Sequence, residues 1–272
     1  MSANFLGREK GYRDIEGSGF QEGGLSVAEH FSPLATYASR VDHLFGTVAE
    51  LGFKGIDLWT AHCDPNWATP AHRNAAVAAS QHHEVEIVSI AGGLGDSLGT
   101  LEAFSQLAAD LGCSMLGLGA WRGLMPERNP EVSAVLRQHG VRLAFENHPK
   151  EPTPAVLLEV IESGRWPEIG VTLDTGWFAT TGYPVEKAVD ELSDRLWHVH
   201  LKNVVEPGTH VPARWNEGCL DLEPIVRRLR ANQYEGWMSV EYEPTDRDPS
   251  ESCRELREKI TGWWQSSLIQ KP

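Results

Sequence analysis

The sequence predicts a single (β/α)8 TIM barrel, an α/β fold, formed by one domain over residues 1–272. Short apolar segments rich in β-forming residues alternate with longer helix-like segments along most of the chain, as they do in parallel sheets. The number of these units approaches eight, which favours a closed barrel over an open sheet. The sequence also contains neither GxGxxG nor GxxxxGK[S/T], the glycine-rich motifs of open-sheet nucleotide-binding folds.

Seven strands are predicted from apolar runs that are flanked by turn residues. They are Gly55–Trp59, Val85–Ile90, Met115–Leu118, Val141–Glu146, Gly170–Asp174, Trp197–Leu201 and Met238–Glu241. The eighth strand is expected near the N-terminus. Leu25–His30 is the candidate for it, because the segment up to Gly24 is rich in glycine and irregular.

Helical patterns lie between the strands, and several end at glycine or carry proline near their start, as helices commonly do. They are Val41–Leu51, Ala71–His82, Thr100–Leu111, Pro130–His139, Pro154–Ser163, Val185–Leu192 and Leu222–Asn232. The charged stretch after Asp246 leads into GWWQSSLI, which predicts a last barrel helix with Trp263 and Trp264 buried. The alternative is that this segment forms a subunit contact in a homo-oligomer.

The composition excludes several classes of partner. A formal net charge of −14 would repel a phosphate backbone, so no nucleic-acid partner is expected. No segment approaches the roughly 18 apolar residues of a membrane-spanning helix, so no membrane partner is expected either. The four cysteines show no CxxC spacing and the N-terminus has no apolar signal-like run, which together favour a cytoplasmic location.

Four predicted strands end in residues that can bind a metal ion: Glu146, Asp174, His200 and Glu241. In a parallel barrel the active site is built from the carboxyl ends of the strands. Three carboxylates and one imidazole suit Mn²⁺, Mg²⁺, Co²⁺ or Zn²⁺, and no thiol is offered. Each carboxylate alone is equally well explained as a capping or ion-pairing residue, and His200 alone is better explained by a role other than that of a ligand. Four such residues at four strand ends favour one metal site.

Two further residues share the strand face of His200, because side chains alternate along a strand. His198 is expected deeper in the barrel interior, with a role as partner of a metal ligand as the alternative. Lys202 lies closer to the loop, where its ammonium would hold a substrate oxygen; the alternative is an ordinary surface lysine.

The motifs ENHP, LDTGW, HVHLKN and VEYE, in this order, resemble the xylose isomerase-like barrel superfamily, the sugar phosphate isomerase/epimerase group. The resemblance runs from about Val41 to Glu243. It implies that Glu146, Asp174, His200 and Glu241 bind one divalent ion, with Mn²⁺ as the first choice. It also implies that Glu146 and Glu241 are a catalytic acid/base pair on opposite faces of the substrate.

The sequence departs from this resemblance at one position. Many members have a histidine three residues after the aspartate, where this chain has Trp177. Indole cannot act as a ligand of a metal ion but can offer an apolar wall or an N–H donor. The sequence also lacks a DxH pair after the seventh strand. Both differences disfavour a function like that of the endonuclease IV nucleases of the superfamily. Further candidates for contact with substrate are Asn147, His148, His62 and Arg214.

The expected function is that of a metal-dependent isomerase or epimerase of a keto-sugar, inosose or keto-glycoside, working through an enediolate. The expected partner is therefore a small sugar or polyol, and unphosphorylated, since the sequence shows no phosphate cradle. One alternative is a dehydratase of a keto-polyol, which uses the same enediolate. Another is a non-catalytic sugar-binding barrel, although a binding protein has no need of two opposed glutamates.

Overall fold

The computed structural model describes residues 1–2, 8, 20–93, 95, 97–119, 126–163 and 166–266. Within them the strands are β1 Gly55–Trp59, β2 Glu86–Gly92, β3 Met115–Leu118, β4 Arg142–Glu146, β5 Ile169–Asp174, β6 Leu196–Leu201, β7 Asn203–Val204, β8 Pro212–Ala213 and β9 Trp237–Val240. The helices are α1 Phe20–Phe31, α2 Leu34–Glu50, α3 Pro70–His83, α4 Leu98–Asp110, α5 Asn129–His139, α6 Pro154–Ser163, α7 Thr175–Thr181, α8 Val185–Leu192, α9 Leu222–Ala231 and α10 Ser250–Ser266.

The seven predicted strands are confirmed and form one parallel sheet in the order β1-β2-β3-β4-β5-β6-β9. Ser2 makes parallel bridges to Asp57 on β1 and to Glu241 just after β9, so it occupies the gap between the two outer strands. The molecule is an α/β TIM barrel. All six residues of β5 are buried, as expected for a strand covered on both faces.

The prediction of a strand over Leu25–His30 is wrong, because this segment lies within α1. Val27 and Phe31, four residues apart, are buried, whereas Leu25 is 67% exposed. This spacing follows the period of a helix and not the alternation of a strand. Ser2, which bridges β1 and the residue after β9, lies where the eighth strand was expected.

The helices form because their apolar residues recur at helical spacing. In α9 the buried residues are Leu222, Ile225, Val226 and Leu229, which define one inward face. The fold also contains two features that were not predicted, the short helix α7 and the antiparallel pair of β7 and β8. Both lie at the carboxyl end of the barrel, where they follow β5 and β6.

The last helix, α10, packs against α9 and β9. Its buried residues include Cys253, Leu256 and Ile260. Trp263 and Trp264 are half-buried and not fully buried as predicted, because they lie at the end of this helix, where Trp264 is covered by the Arg230 guanidinium at 4.9 Å. None of the helices in the described ranges is both long and apolar enough to cross a bilayer.

Candidate metal centre

Four strand ends bring ligand-capable atoms together at the carboxyl end of the barrel. Glu146 ends β4, Asp174 ends β5, His200 lies on β6 and Glu241 follows β9. One ligand atom of each residue lies within 4.8 Å of the corresponding atoms of the other three. The parallel register contributes directly, because it sets Asp174 opposite His200. The side chains of Asp174, His200 and Glu241 are all buried.

The imidazole of His200 lies between two carboxylates. Its Nδ1 is 2.7 Å from Glu146 Oε1 and 2.7 Å from Glu241 Oε2. Burial alone would lower the pKa of His200, but Glu241 and Glu146 outweigh burial and raise the pKa well above its ordinary value. Nδ1 therefore faces Glu146 and Glu241. The two carboxylates stabilise a positive charge between them.

The two carboxylate oxygens of Asp174 have different surroundings. Its Oδ1 accepts the backbone N–H of Trp177 at 2.7 Å and thereby caps α7. Its Oδ2 is buried and has no hydrogen-bond partner among the described residues. Burial, despite the opposing charge of Lys202, raises the pKa of Asp174 to about 7.

Asn147, a candidate for contact with substrate, holds the backbone of Asp174. Its amide accepts the Asp174 N–H at 2.8 Å and donates to the Asp174 carbonyl at 3.1 Å. Both bonds are buried, so Asn147 fixes the end of β5 and the position of its carboxylate.

The donor set fits a divalent cation. Asp174 Oδ2 has no hydrogen-bond partner in the described part of the chain, and the buried Glu241 Oε2 lies 2.7 Å from His200 Nδ1 without the geometry of a hydrogen bond. A buried acceptor without a partner costs about 1–3 kcal/mol, and more when it is charged. Three carboxylates and one imidazole match the ligands that Mn²⁺, Zn²⁺, Co²⁺ and Mg²⁺ accept, with the oxygen-rich set favouring the harder ions.

Lys202 is engaged by two carboxylates. The ammonium is buried, donates to Glu241 Oε1 at 3.1 Å and pairs with Glu243. Burial alone would lower the pKa of Lys202, but Glu241, Glu243 and Asp174 outweigh it and raise the pKa well above its ordinary value. Gly176 makes room for this side chain, because a Cβ there would lie 2.9 Å from Lys202 Cγ.

Glu243 was not predicted as a site residue. It follows Glu241 by two positions, and strand alternation would have placed both on one face. Its carboxylate is buried and pairs with the ammonium of Lys202. Burial, despite the opposing effect of that ammonium, raises the pKa of Glu243 to about 7.

An aromatic wall borders the four-residue cluster. The indole of Trp177 stacks on His210 with ring centroids 3.3 Å apart and an interplanar angle of 6°. His148 lies at 5.2 Å from the same indole, and its Nε2 is 3.8 Å from Glu146 Oε2. Thr180 Oγ1 holds His210 Nδ1 at 2.9 Å. His210, in the loop between β7 and β8, was missed in the sequence because no local motif marks it.

Two of the other candidates contact neighbouring elements. The His62 ring packs edge-on against Phe31 at 4.8 Å and Trp59 at 5.9 Å. Arg214 contacts Glu255 of α10 at 3.4 Å. Neither belongs to the group of residues whose ligand atoms converge.

The buried His62 predicts a measurable pH dependence of stability. Burial lowers its pKa from 6.5 to about 3, so below pH 6.5 the unfolded chain takes up a proton that the folded chain does not. Stability is therefore lost as pH falls from 6.5 towards 3. Between about pH 7 and about pH 4.5, wild type is expected to lose about 2 kcal/mol more unfolding free energy than His62→Leu, as measured by urea denaturation.

The control for this prediction is His43→Leu, at an exposed histidine on α2. It should retain the full pH dependence of wild type. Equal pH dependence in His62→Leu and wild type would show that the pKa of His62 is not lowered in the folded protein.

Comparison with known sequences places the chain in a family. The sequence model described as xylose isomerase-like TIM barrel matches residues 45–259, from within α2 to within α10. The chain belongs to this family. The matched segment contains the seven strands of the parallel sheet and the four residues whose ligand atoms converge.

Individual relatives are distant. An inosose dehydratase from Clostridium beijerinckii is 32% identical over 108 residues, which cover 32% of this chain and 35% of the relative. The curated relatives are matched over only 35 to 44% of their own length.

Solved structures show the same barrel. A xylose isomerase-like TIM barrel protein from Mycobacterium smegmatis in complex with magnesium has a TM-score of 0.68 at 19% identity, over 87% of this chain and 90% of its own. The 3-keto-D-glucoside 4-epimerase of E. coli has a TM-score of 0.62 at 18% identity, over 82% of this chain and 94% of its own. At these identities the likeness establishes the fold.

Proposed function

We propose that this chain is a divalent-metal-dependent isomerase or epimerase of a sugar-like keto substrate, such as a keto-sugar, an inosose or a keto-glycoside. The observation that carries the proposal is the convergence of Glu146, Asp174, His200 and Glu241, together with the buried Asp174 Oδ2, which has no hydrogen-bond partner among the described residues. Membership of the xylose isomerase-like family and the likeness to a 3-keto-D-glucoside 4-epimerase support it.

The four residues would hold one ion through three carboxylates and the Nδ1 of His200. Mn²⁺ is the first choice, and Zn²⁺, Co²⁺ and Mg²⁺ are the others. The likeness to a barrel solved with magnesium supports a divalent ion. When bound, the ion polarises a substrate carbonyl and so acidifies the neighbouring C–H bond.

Glu146 and Glu241 would carry the proton. They come from different strands, and each reaches the same His200 nitrogen at 2.7 Å. Two carboxylates that flank one point can act on opposite sides of a substrate bound there. One would take the proton from the carbon next to the carbonyl, which gives an enediolate, and the other would return it. Return to the opposite face gives an epimer, and return to the neighbouring carbon gives an isomer.

Lys202, His148, Trp177 and His210 would shape the space around the substrate. The Lys202 ammonium holds Glu241 through Oε1, which leaves Oε2 on the side of His200. The aromatic wall of Trp177, His148 and His210 lies beside Glu146 and would limit the size of the substrate.

A second candidate function is the dehydration of a keto-polyol. The similarity to an inosose dehydratase is the observation that favours it. The same proton removal by a carboxylate would then be followed by loss of a β-hydroxyl as water, and the protonated carboxylate would serve as the acid.

One experiment tests both functions. The protein is incubated with Mn²⁺ in D₂O with a panel of keto-sugars and inososes, and products are identified by mass and chromatography. An isomerase or epimerase is expected to incorporate deuterium at the carbon next to the carbonyl. A dehydratase gives a product lighter by one water that absorbs in the ultraviolet. Protein treated with a chelator is the control, and a panel without deuterium uptake or water loss contradicts both functions.

A further inference from the structure

We propose that Asp57 is a positioning residue that fixes the orientation of His200 and thereby the affinity of the metal centre. The proposal rests on the metal site of the proposed function and deepens it. Asp57 lies on β1, far in sequence from the four ligands, and its side chain is fully buried.

Asp57 faces two imidazoles. Its Oδ1 is 2.9 Å from His198 Nε2, and its Oδ2 is 3.7 Å from His200 Nε2. Oδ1 also accepts a hydrogen bond from Ser89 on β2 at 2.5 Å. The rings of His198 and His200 meet edge-on with centroids 5.0 Å apart. One carboxylate, held by Ser89, thus lies against both histidines of β6.

The two nitrogens of His200 have different surroundings. Nδ1 faces Glu146 and Glu241, whereas Nε2 faces Asp57. A neutral imidazole that binds a cation through one nitrogen carries its proton on the other, and the partner of that proton sets the ring orientation. If His200 binds through Nδ1, the proton is on Nε2 and its nearest acidic neighbour is Asp57.

The unsatisfied atoms support this assignment. His200 Nε2 and Asp57 Oδ2 are both buried, and neither has a hydrogen-bond partner in the described residues. Their separation of 3.7 Å exceeds a hydrogen bond but lies within ion-pair range. Asp57 Oδ1 is engaged by Ser89 and lies against His198 Nε2, so Oδ2 is the oxygen that remains for His200 Nε2. The charge of Asp57 favours the tautomer with Nε2 protonated.

Metal affinity is the first measurement. Loss of such a partner typically weakens metal binding by about 10–100-fold, so Asp57→Asn is expected to raise the Kd for Mn²⁺ in calorimetry by this factor. Glu168→Gln is the matched control, because Glu168 pairs with Ser133 and Arg137 outside the cluster. Its Kd should stay within about twofold of wild type.

The tautomer of His200 is the second measurement, because a merely structural role would not change it. ¹⁵N spectra of the zinc-loaded protein should show His200 protonated on Nε2 in wild type, and Asp57→Asn should lose or weaken this preference. Both proteins carry His82→Ala, since Asp42, His82 and His83 form a surface group that could also bind zinc.

Several outcomes overturn the proposal. One is an unchanged Kd together with an unchanged tautomer in Asp57→Asn. Another is that wild type binds two ions and Asp57→Asn one, which would make Asp57, His198 and His200 a second ion site. If Asp57→Asn does not fold, Ser89→Ala keeps the carboxylate and should weaken Mn²⁺ binding several-fold; an unchanged Kd there overturns the proposal as well. Failure of wild type to bind any ion would instead contradict the proposed function.

Discussion

Replacing Glu241 by glutamine is expected to lower turnover of the substrate by about 10³-fold, within the range that one general acid or base contributes. The amide keeps the shape of the side chain but cannot take up a proton. Glu241 is one of the two carboxylates at 2.7 Å from His200 Nδ1, and Lys202 holds its other oxygen. The loss should therefore fall on kcat, as measured by initial rates at saturating Mn²⁺ and substrate.

The matched control for Glu241→Gln is Glu243→Gln. Both glutamates pair with Lys202, but Glu243 is not one of the four residues whose ligand atoms converge. Glu243→Gln should therefore lower turnover by less than about tenfold, which corresponds to about 1.4 kcal/mol. Equal losses in the two variants would show that Glu241 acts only through the charge of Lys202.

Isotope exchange separates the two proposed catalytic glutamates. If Glu146 and Glu241 act on opposite faces, each glutamine variant should block solvent exchange from one epimer more than from the other. An identical loss of exchange from both epimers in both variants would contradict the two-sided arrangement.

The strands and the four residues that converge could be predicted from the sequence because both follow from local patterns. Strand ends are marked by apolar runs that stop at a polar residue, and in a parallel barrel all strands deliver their carboxyl ends to one face. These patterns predict Glu146, Asp174, His200 and Glu241. The barrel then sets the distances between them.

The residues that were missed depend on contacts between distant segments. Asp57 lies in the middle of an apolar strand, where only the fold shows that it faces His198 and His200. His210 lies in a loop and contacts Trp177 only because β7 and β8 pair. The error over Leu25–His30 has a different origin, since a short segment contains too few residues to separate helical from strand periodicity.

Replacing Lys202 by methionine is expected to lower the unfolding free energy of the metal-free protein by about 3–5 kcal/mol. Methionine keeps the length and apolar stem but removes the charge. The buried carboxylates of Glu241 and Glu243 then lose their shared cation, and Asp174 lies close enough to act on the same ammonium. Urea denaturation in the presence of a chelator measures the loss.

Lys187→Met is the control for Lys202→Met, because Lys187 pairs with Glu191 at the surface and its side chain is 60% exposed. Water and salt screen an exposed pair, so this variant should stay close to wild type.

If the cost of Lys202→Met comes from uncompensated negative charge, a second substitution that removes one charge should recover part of it. The double variant Lys202→Met/Glu243→Gln is therefore expected to be more stable than Lys202→Met alone. With Glu243→Gln as the fourth protein of the cycle, the coupling energy between the two substitutions should be about 1–3 kcal/mol. A double variant that is less stable than Lys202→Met would mean that the loss comes from packing around the lysine stem, which passes Gly176 closely. Urea denaturation with Mn²⁺ also distinguishes the two causes. A cation held by Glu241 and Asp174 would reduce the loss of unfolding free energy in Lys202→Met if that loss comes from charge. It would leave the loss unchanged if it comes from packing.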